Sequence, residues 1–429
     1  MARTLNPEGY FDPVMSAEEF YLTCESILED ANQLTNITDE IERLQDASDS
    51  LEDLTITGNH IKVVTPEHAI MLDAGIRSTL SGSDVSTDDV IPNLESYIGK
   101  RFNMEGLKDH LVNLWRWIVQ KLEEAWKIIY DFGYKYLGTI PRLRGELEKI
   151  RKKALSGDLD TNQWPSKFNV GMELYSLSVG DKVPKMPRDL IDTMENLNLQ
   201  VQHFLGPYFE NYVTVYEDLK ALFDEVGEEG FDNNLNQMTD KVLTLTDTGL
   251  PSELTLTTIS DKRFTGNYKQ LANLPNNKTI YLKDKADIPN NEAILRAEMV
   301  QGMAPILRET KSSLKRSQNV YELGTLYPND IVQVIDACMD ILNACEKVMR
   351  GEWFDKLKVA KKDLQISSDA LIKADPDNRN DLKVTYIRAM VKYNTMMTGI
   401  YSQLIVGLTT VSLVSCRSIG IICAKNIRL

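Results

Sequence analysis

The chain reads as a mainly α protein: an elongated helical bundle with a small antiparallel β insert and an acidic N-terminal helical leader. Three observations carry this. Apolar residues recur at spacings of three and four over most of the 429 residues. Short β-prone runs gather in one region only, near 251–288, between turn-forming residues. The charge is divided: residues 1–98 hold 20 Asp/Glu against 4 Lys/Arg, and residues 99–429 hold 43 against 44. One sign concentrated beside a neutral body points to a solubilising or masking leader on a body that meets something anionic.

The bulk composition is that of a globular chain able to bury a large core, with 42% hydrophobic and 26% charged residues. Five cysteines, Cys24, Cys338, Cys345, Cys416 and Cys423, are too few and too scattered for a disulfide framework, so a reducing compartment is expected. Residues 1–10 lack the apolar run of a secretory signal.

Four regions are expected: an acidic leader over 1–95, a helical body over 96–250, a β insert over 251–288 and a C-terminal bundle over 289–429. In the leader, Ile27, Leu34, Ile37, Ile41, Leu44, Leu51 and Leu54 form an apolar stripe over 16–54, with acids on the remaining surface. A second short helix follows Pro66, and 81–89 is a polar linker. Residues 105–136 give the strongest periodic signal. Leu111, Trp115, Ile118, Leu122, Ala125, Ile129 and Phe132 alternate spacings of four and three, which is the seam of a helix pair. Trp117, Trp126, Val112, Val119 and Ile128 lie off that seam, so this helix packs on two sides.

A helix over 142–156 follows, and 156–187 reads as a connecting region. Another helix covers 188–226, kinked at Gly206-Pro207, with Leu190, Met194, Leu197 and Val201 as its core stripe. Leu254 to Thr257 and Thr279 to Lys283 suggest two or three antiparallel strands. Helices are then expected over 292–317, 328–350 and 353–373, with a turn at 375–378 and one long apolar helix over 382–423. Within it, residues 393–416 carry no charge over 24 positions, enough to span a bilayer. Their amides and hydroxyls disfavour insertion, so a buried terminal helix is expected and no membrane. The alternative is a helical membrane-inserting or secreted effector that uses this helix.

No catalytic, cofactor-binding or metal-binding constellation stands out, and no enzyme activity is expected. The histidines (His60, His68, His110, His203) do not pair at ligand spacing, and no phosphate-binding or nucleophile motif occurs. Asp232, Asn233 and Asn234 begin a poor calcium loop, without the required Gly and Glu. The Cys338/Cys345 and Cys416/Cys423 pairs, each seven apart, read as core positions on one helical face. Basic residues gather just after the leader. Lys100, Arg101, Arg142, Arg144, Lys149, Arg151, Lys152 and Lys153 are the candidates to face a polyanion, although a solvated helix end explains the 149–153 cluster better than nucleic-acid contact does.

An acidic leader, a Leu94-Glu95-Ser96 junction, the Trp- and Lys-rich run Leu-Trp-Arg-Trp-Ile-Val-Gln-Lys-Leu (114–122) and a long helical body resemble the internal head proteins of large tailed bacteriophages. The run Leu274-Pro275-Asn276-Asn277-Lys278-Thr279-Ile280 is similar to a loop-strand element of the same group. The resemblance implies a structural protein of the virion, made in the host cytoplasm and packaged inside the capsid next to the genome. Its implied partners are other virion proteins, packaged DNA through weak non-specific contacts, and a prohead protease that removes the leader. Such proteases cut after Glu, and the matching positions here are Glu52 and Glu95. Asn93 departs from the small or apolar residue usual two positions before the cut.

Overall fold

The computed structural model describes residues 138–157, 159–224, 231–247, 249–259, 267–283, 303–310, 320–350 and 382–427, most of 117–131, residue 359, and single positions within 29–44 and 65–74. Over these residues the chain is mostly helical, with two small antiparallel sheets. In chain order it runs α1 (Thr139–Leu155), β1 (Lys167–Val170), α2 (Met172–Ser176), α3 (Pro187–Phe204), α4 (Pro207–Asp224) and α5 (Phe231–Asp247). Strands β2 (Thr257–Ile259), β3 (Tyr268–Gln270), β4 (Lys278–Lys283), β5 (Ile306–Glu309) and β6 (Tyr321–Gly324) follow. The C-terminal part is α6 (Pro328–Arg350), α7 (Leu382–Gly399), a π-helical segment (Ile400–Val406) and α8 (Gly407–Ile427).

Helix α6 is the hub. It packs on α1, α3 and α8, and α8 packs in turn on α1, α2 and α3. The apolar stripes explain these contacts. Leu190, Met194, Leu197 and Val201 of α3, Ile331, Val334, Ile335, Ile341 and Leu342 of α6, and Leu143 and Leu147 of α1 are all buried in one core. Each such side chain contributes about 1.5–3 kcal/mol on leaving water, which outweighs the modest helix propensities of these segments. Local chemistry sets the starts. Pro187 opens α3, and the Asp189 carboxylate accepts from the amides of Lys185 (2.9 Å) and Met186 (3.0 Å). Pro328 opens α6, where Asp330 accepts from the Tyr327 amide at 2.9 Å.

The four-stranded sheet has the order β2-β3-β4-β5. The β3–β4 connection is the 274–280 run. Asn276 and Asn277 adopt the left-handed conformation (φ 59° and 53°), which Asn tolerates better than branched residues. The Leu274 amide donates to the Lys278 carbonyl at 2.7 Å and closes the loop. Gly407, where the π segment passes into α8, lets the sheet approach. A Cβ there would lie 2.8 Å from a Leu307 methyl of β5.

Several expectations are corrected. The helix expected over 292–317 contains β5 instead, because Ile306–Glu309 pairs with Lys278–Tyr281 of β4. The connecting region over 156–187 contains β1, whose partner β6 lies more than 150 residues downstream. The 188–226 helix is two helices, broken at Gly206. A Cβ there would come 2.3 Å from the Gln202 carbonyl, and Pro207 starts the next helix. Helix α5 was not expected, yet Leu235, Met238, Val242 and Leu245 form its buried face.

The terminal helix is as expected, with a π segment inserted. Residues Lys392–Ile427 are long and apolar enough to cross a membrane by length and composition, and most of the apolar stretch is buried inside the protein. Three of its buried hydroxyls bond back along the helix: Thr398 to the Asn394 carbonyl, Thr410 to Val406 and Ser412 to Leu408, at 2.8–2.9 Å. Others reach across. Tyr212 donates to the Met397 carbonyl at 3.0 Å and Tyr216 to Asn394 Oδ1 at 3.1 Å, while the Thr239 and Tyr393 hydroxyls share a bond of 2.9 Å. Asn426 clamps the far end. Its side chain accepts from the Leu326 amide (3.0 Å) and donates to the Leu326 carbonyl (2.9 Å).

Candidate functional site

Six of the eight candidate basic residues lie on α1 and divide between its two sides. One face of this helix, Ile140, Leu143, Leu147 and Ala154, enters the core. Arg144 and Arg151, seven apart, flank that face and are committed to α6. Arg144 donates to Glu346 at 2.6 Å and to Asn343 at 2.9 Å. Arg151 donates to both carboxylate oxygens of Asp336, at 2.6 and 3.3 Å, and this pairing raises its already high pKa. Arg142, Lys149, Lys152 and Lys153 are exposed on the opposite side. At 100° per residue, Arg142, Lys149 and Lys153 fall within about 40° of one another. Lys152 and Lys153 also sit in the last turn, where the helix dipole favours cations. Lys100 and Arg101, and the two processing candidates Glu52 and Glu95, lie outside the described residues.

A second contact involves the leader. At 29, 33–34, 36–37, 40–41 and 43–44 the described positions are helical. Leu34, Ile41 and Leu44 are buried, and Leu34 belongs to the same core as Ala125, Trp126 and Ile129. Glu40 reaches Lys121 at 3.2 Å, and Lys121 also bonds Glu124 at 3.2 Å. Partial burial pulls the Lys121 ammonium down, and the two carboxylates more than offset it, leaving its pKa raised. The leader expected to be separable thus has part of its stripe inside the core of the body. On the inner side of the 117–131 helix, Trp126 stacks on Tyr401 of the π segment, with ring centroids 6.1 Å apart.

Chemistry at the remaining candidates is structural. Cys338, Cys345, Cys416 and Cys423 converge as buried free thiols between α6 and α8. Burial pushes the Cys345 thiol up to about 12 and raises Cys416 and Cys423 as well, which suppresses the thiolate. Among the described residues, no group of three or more His, Cys, Asp or Glu is placed to hold a metal. His203 is buried edge-on against Phe204 (4.9 Å between ring centroids), and burial lowers its pKa. Two features escaped the sequence reading. One is the split of the basic residues, signalled by the seven-residue spacing of Arg144 and Arg151 beside the apolar stripe. The other is the polar layer against α7, for which no sequence signal exists.

Over the described residues the body is helical and is held by interhelical ion pairs and buried hydroxyl bonds. The chain belongs to the phiKZ-like phage internal head proteins, whose family model matches residues 22–412. It is therefore a structural protein of the virion, held inside the phage capsid. No curated protein and no solved structure matches it.

Proposed function

We propose that this protein is a non-catalytic packing element of the phage head whose acidic leader is removed by the prohead protease, after Glu95 or Glu52, and whose body then lies against packaged DNA. Its partners are other virion proteins and the genome. The observation that carries the reading is the charge division: 20 acidic against 4 basic residues in 1–98, and near balance in 99–429. A leader of that charge repels a dense polyanion at short range, and its removal leaves a body close to neutral. The exposed row Arg142, Lys149, Lys152 and Lys153 supports contact with phosphates. Such contact is weak, non-specific and salt-dependent. Mass spectrometry of the protein from purified particles tests the first half. A mature N-terminus at Ser96 or Asp53 is expected, and an intact leader in infectious particles overturns it.

A further inference from the structure

We propose that the leader covers a self-association surface on the 117–131 helix, and that removing it lets two copies of the body pair through this helix. This rests on the leader-removal reading above and adds what the removal exposes.

The surface is defined by what covers it. Around this helix, Trp126 marks the side turned to Tyr401. Counting 100° per residue, Ile129, Ile118 and Ala125 lie between Trp126 and Lys121, about 140° away. Lys121 is where Glu40 of the leader attaches, so the leader holds the edge of the apolar stripe that the terminal helix does not. Leu34 is fully buried in the core to which Ala125 and Ile129 also belong, and Ile37 packs against that core. Just past Lys121 around the helix lie Ile128, half-buried, and Trp117, 38% exposed. Taking the leader away would join Trp117, Ile118, Ala125 and Ile128 into one open strip.

The charges favour a second copy over nucleic acid. Over the described positions of 117–131 the helix carries Lys121 and Lys127 against Glu123, Glu124 and Asp131, a poor face for phosphates. It is, however, self-complementary. Lys121 and Glu124 are three apart and of opposite sign. An antiparallel pair of this helix, centred between them, sets each Lys121 against Glu124 of the second copy. That replaces the contact now made by Glu40. A two-fold arrangement of one patch on itself is the commonest way for a chain to dimerise.

The test uses the full chain with residues 83–89 replaced by the recognition site of a site-specific protease, so it does not depend on any natural cut. Analytical ultracentrifugation before and after cutting reads the association state, and circular dichroism reads the fold. The uncut chain is expected to be a monomer. After cutting, the leader separates, helicity of the body is retained, and the body sediments as a dimer at micromolar concentration. Trp117→Asp, at an exposed position, weakens that dimer at least tenfold. In the uncut chain, Leu34→Asp loosens the cover and produces dimer without cleavage. A cut body that stays monomeric to about 100 µM, that keeps its leader, or that loses its helicity overturns the inference, as does a dimer indifferent to Trp117→Asp. An intact leader in particles, by contrast, would refute natural removal while leaving this result standing.

Discussion

Neutralising the exposed face of α1 is expected to remove most of the salt dependence of DNA binding without weakening the fold. The perturbation is the fourfold replacement of Arg142, Lys149, Lys152 and Lys153 by Ala, with DNA binding read after the leader has been cut away at the protease site placed over 83–89. All four are exposed, whereas Arg144 and Arg151 are held by Glu346 and Asp336. If each of the four meets one phosphate, the slope of log affinity against log salt on duplex DNA is about −3.6. Between 50 and 200 mM salt that slope weakens binding roughly 150-fold. The fourfold variant should show a slope near zero and bind weakly throughout. Its stability should move by no more than about 0.5 kcal/mol, since exposed helix positions are involved. Arg144→Ala provides the opposite pattern: an unchanged slope, with a loss of about 1–2 kcal/mol because the partly buried Glu346 loses its charge-assisted bond from Arg144. Fluorescence anisotropy with a labelled 30-base-pair duplex across the salt range reads the slope, and urea unfolding reads the stability. A fourfold variant that keeps the parental slope refutes the assignment of this face to phosphates. So does an Arg144→Ala chain that loses the slope while staying folded.

Asn426→Ala should cost about 3 kcal/mol in urea unfolding, because it strands the buried amide and carbonyl of Leu326 together; a loss below 1 kcal/mol would mean the clamp is dispensable. The His203 imidazole has a folded pKa below its ordinary value of about 6.5, so the native state binds fewer protons than the unfolded one. The stability this gives is fully present above about pH 6.5 and is lost as pH falls toward the folded pKa, and His203→Phe should flatten that part of the pH–stability curve. Gly206→Ala should cost at least about 2 kcal/mol, since its Cβ would meet the Gln202 carbonyl at 2.3 Å, and thermal unfolding that is unchanged would show that the α3–α4 junction shifts freely.

The long helices were legible because their partners are local in pattern: Leu190, Met194, Leu197 and Val201 declare a buried face whatever lies opposite. The same holds for the seven-residue cysteine pairs of α6 and α8, which the structure buries face to face. Strands β1 and β6 were not legible, because four residues such as Lys-Phe-Asn-Val become a strand only when Tyr321–Gly324 arrives beside them. Strand β5 was misread for a related reason: Ile306–Glu309 gains its ladder from β4, and Pro305 just before it was the warning against a helix. The candidate site was half legible. Sequence counting found every basic residue of α1, but only the geometry separates Arg144 and Arg151, which hold α6, from Lys149 and Lys153, which face solvent.

The burial of Leu34 changes what the leader must be, and it does so without conflict with the leader's charge. A segment meant only to repel DNA needs no apolar stripe, and one meant only to complete a core needs no excess of 16 negative charges. Both features together suit a cover that is held weakly. Burying a few side chains such as Leu34, Ile41 and Leu44 yields several kcal/mol, and ordering the helix that carries them costs a similar amount. A contact so balanced is maintained by the chain itself, because a tether holds its two sides at an effective concentration on the order of millimolar. Cutting the tether leaves every atom of the contact in place and still dissolves it, since the leader must then bind at its free concentration. Its like charges favour departure further, above all beside a polyanion. The leader can therefore be part of the folded core in the intact chain and absent from its cut form, with no unfolding step between the two.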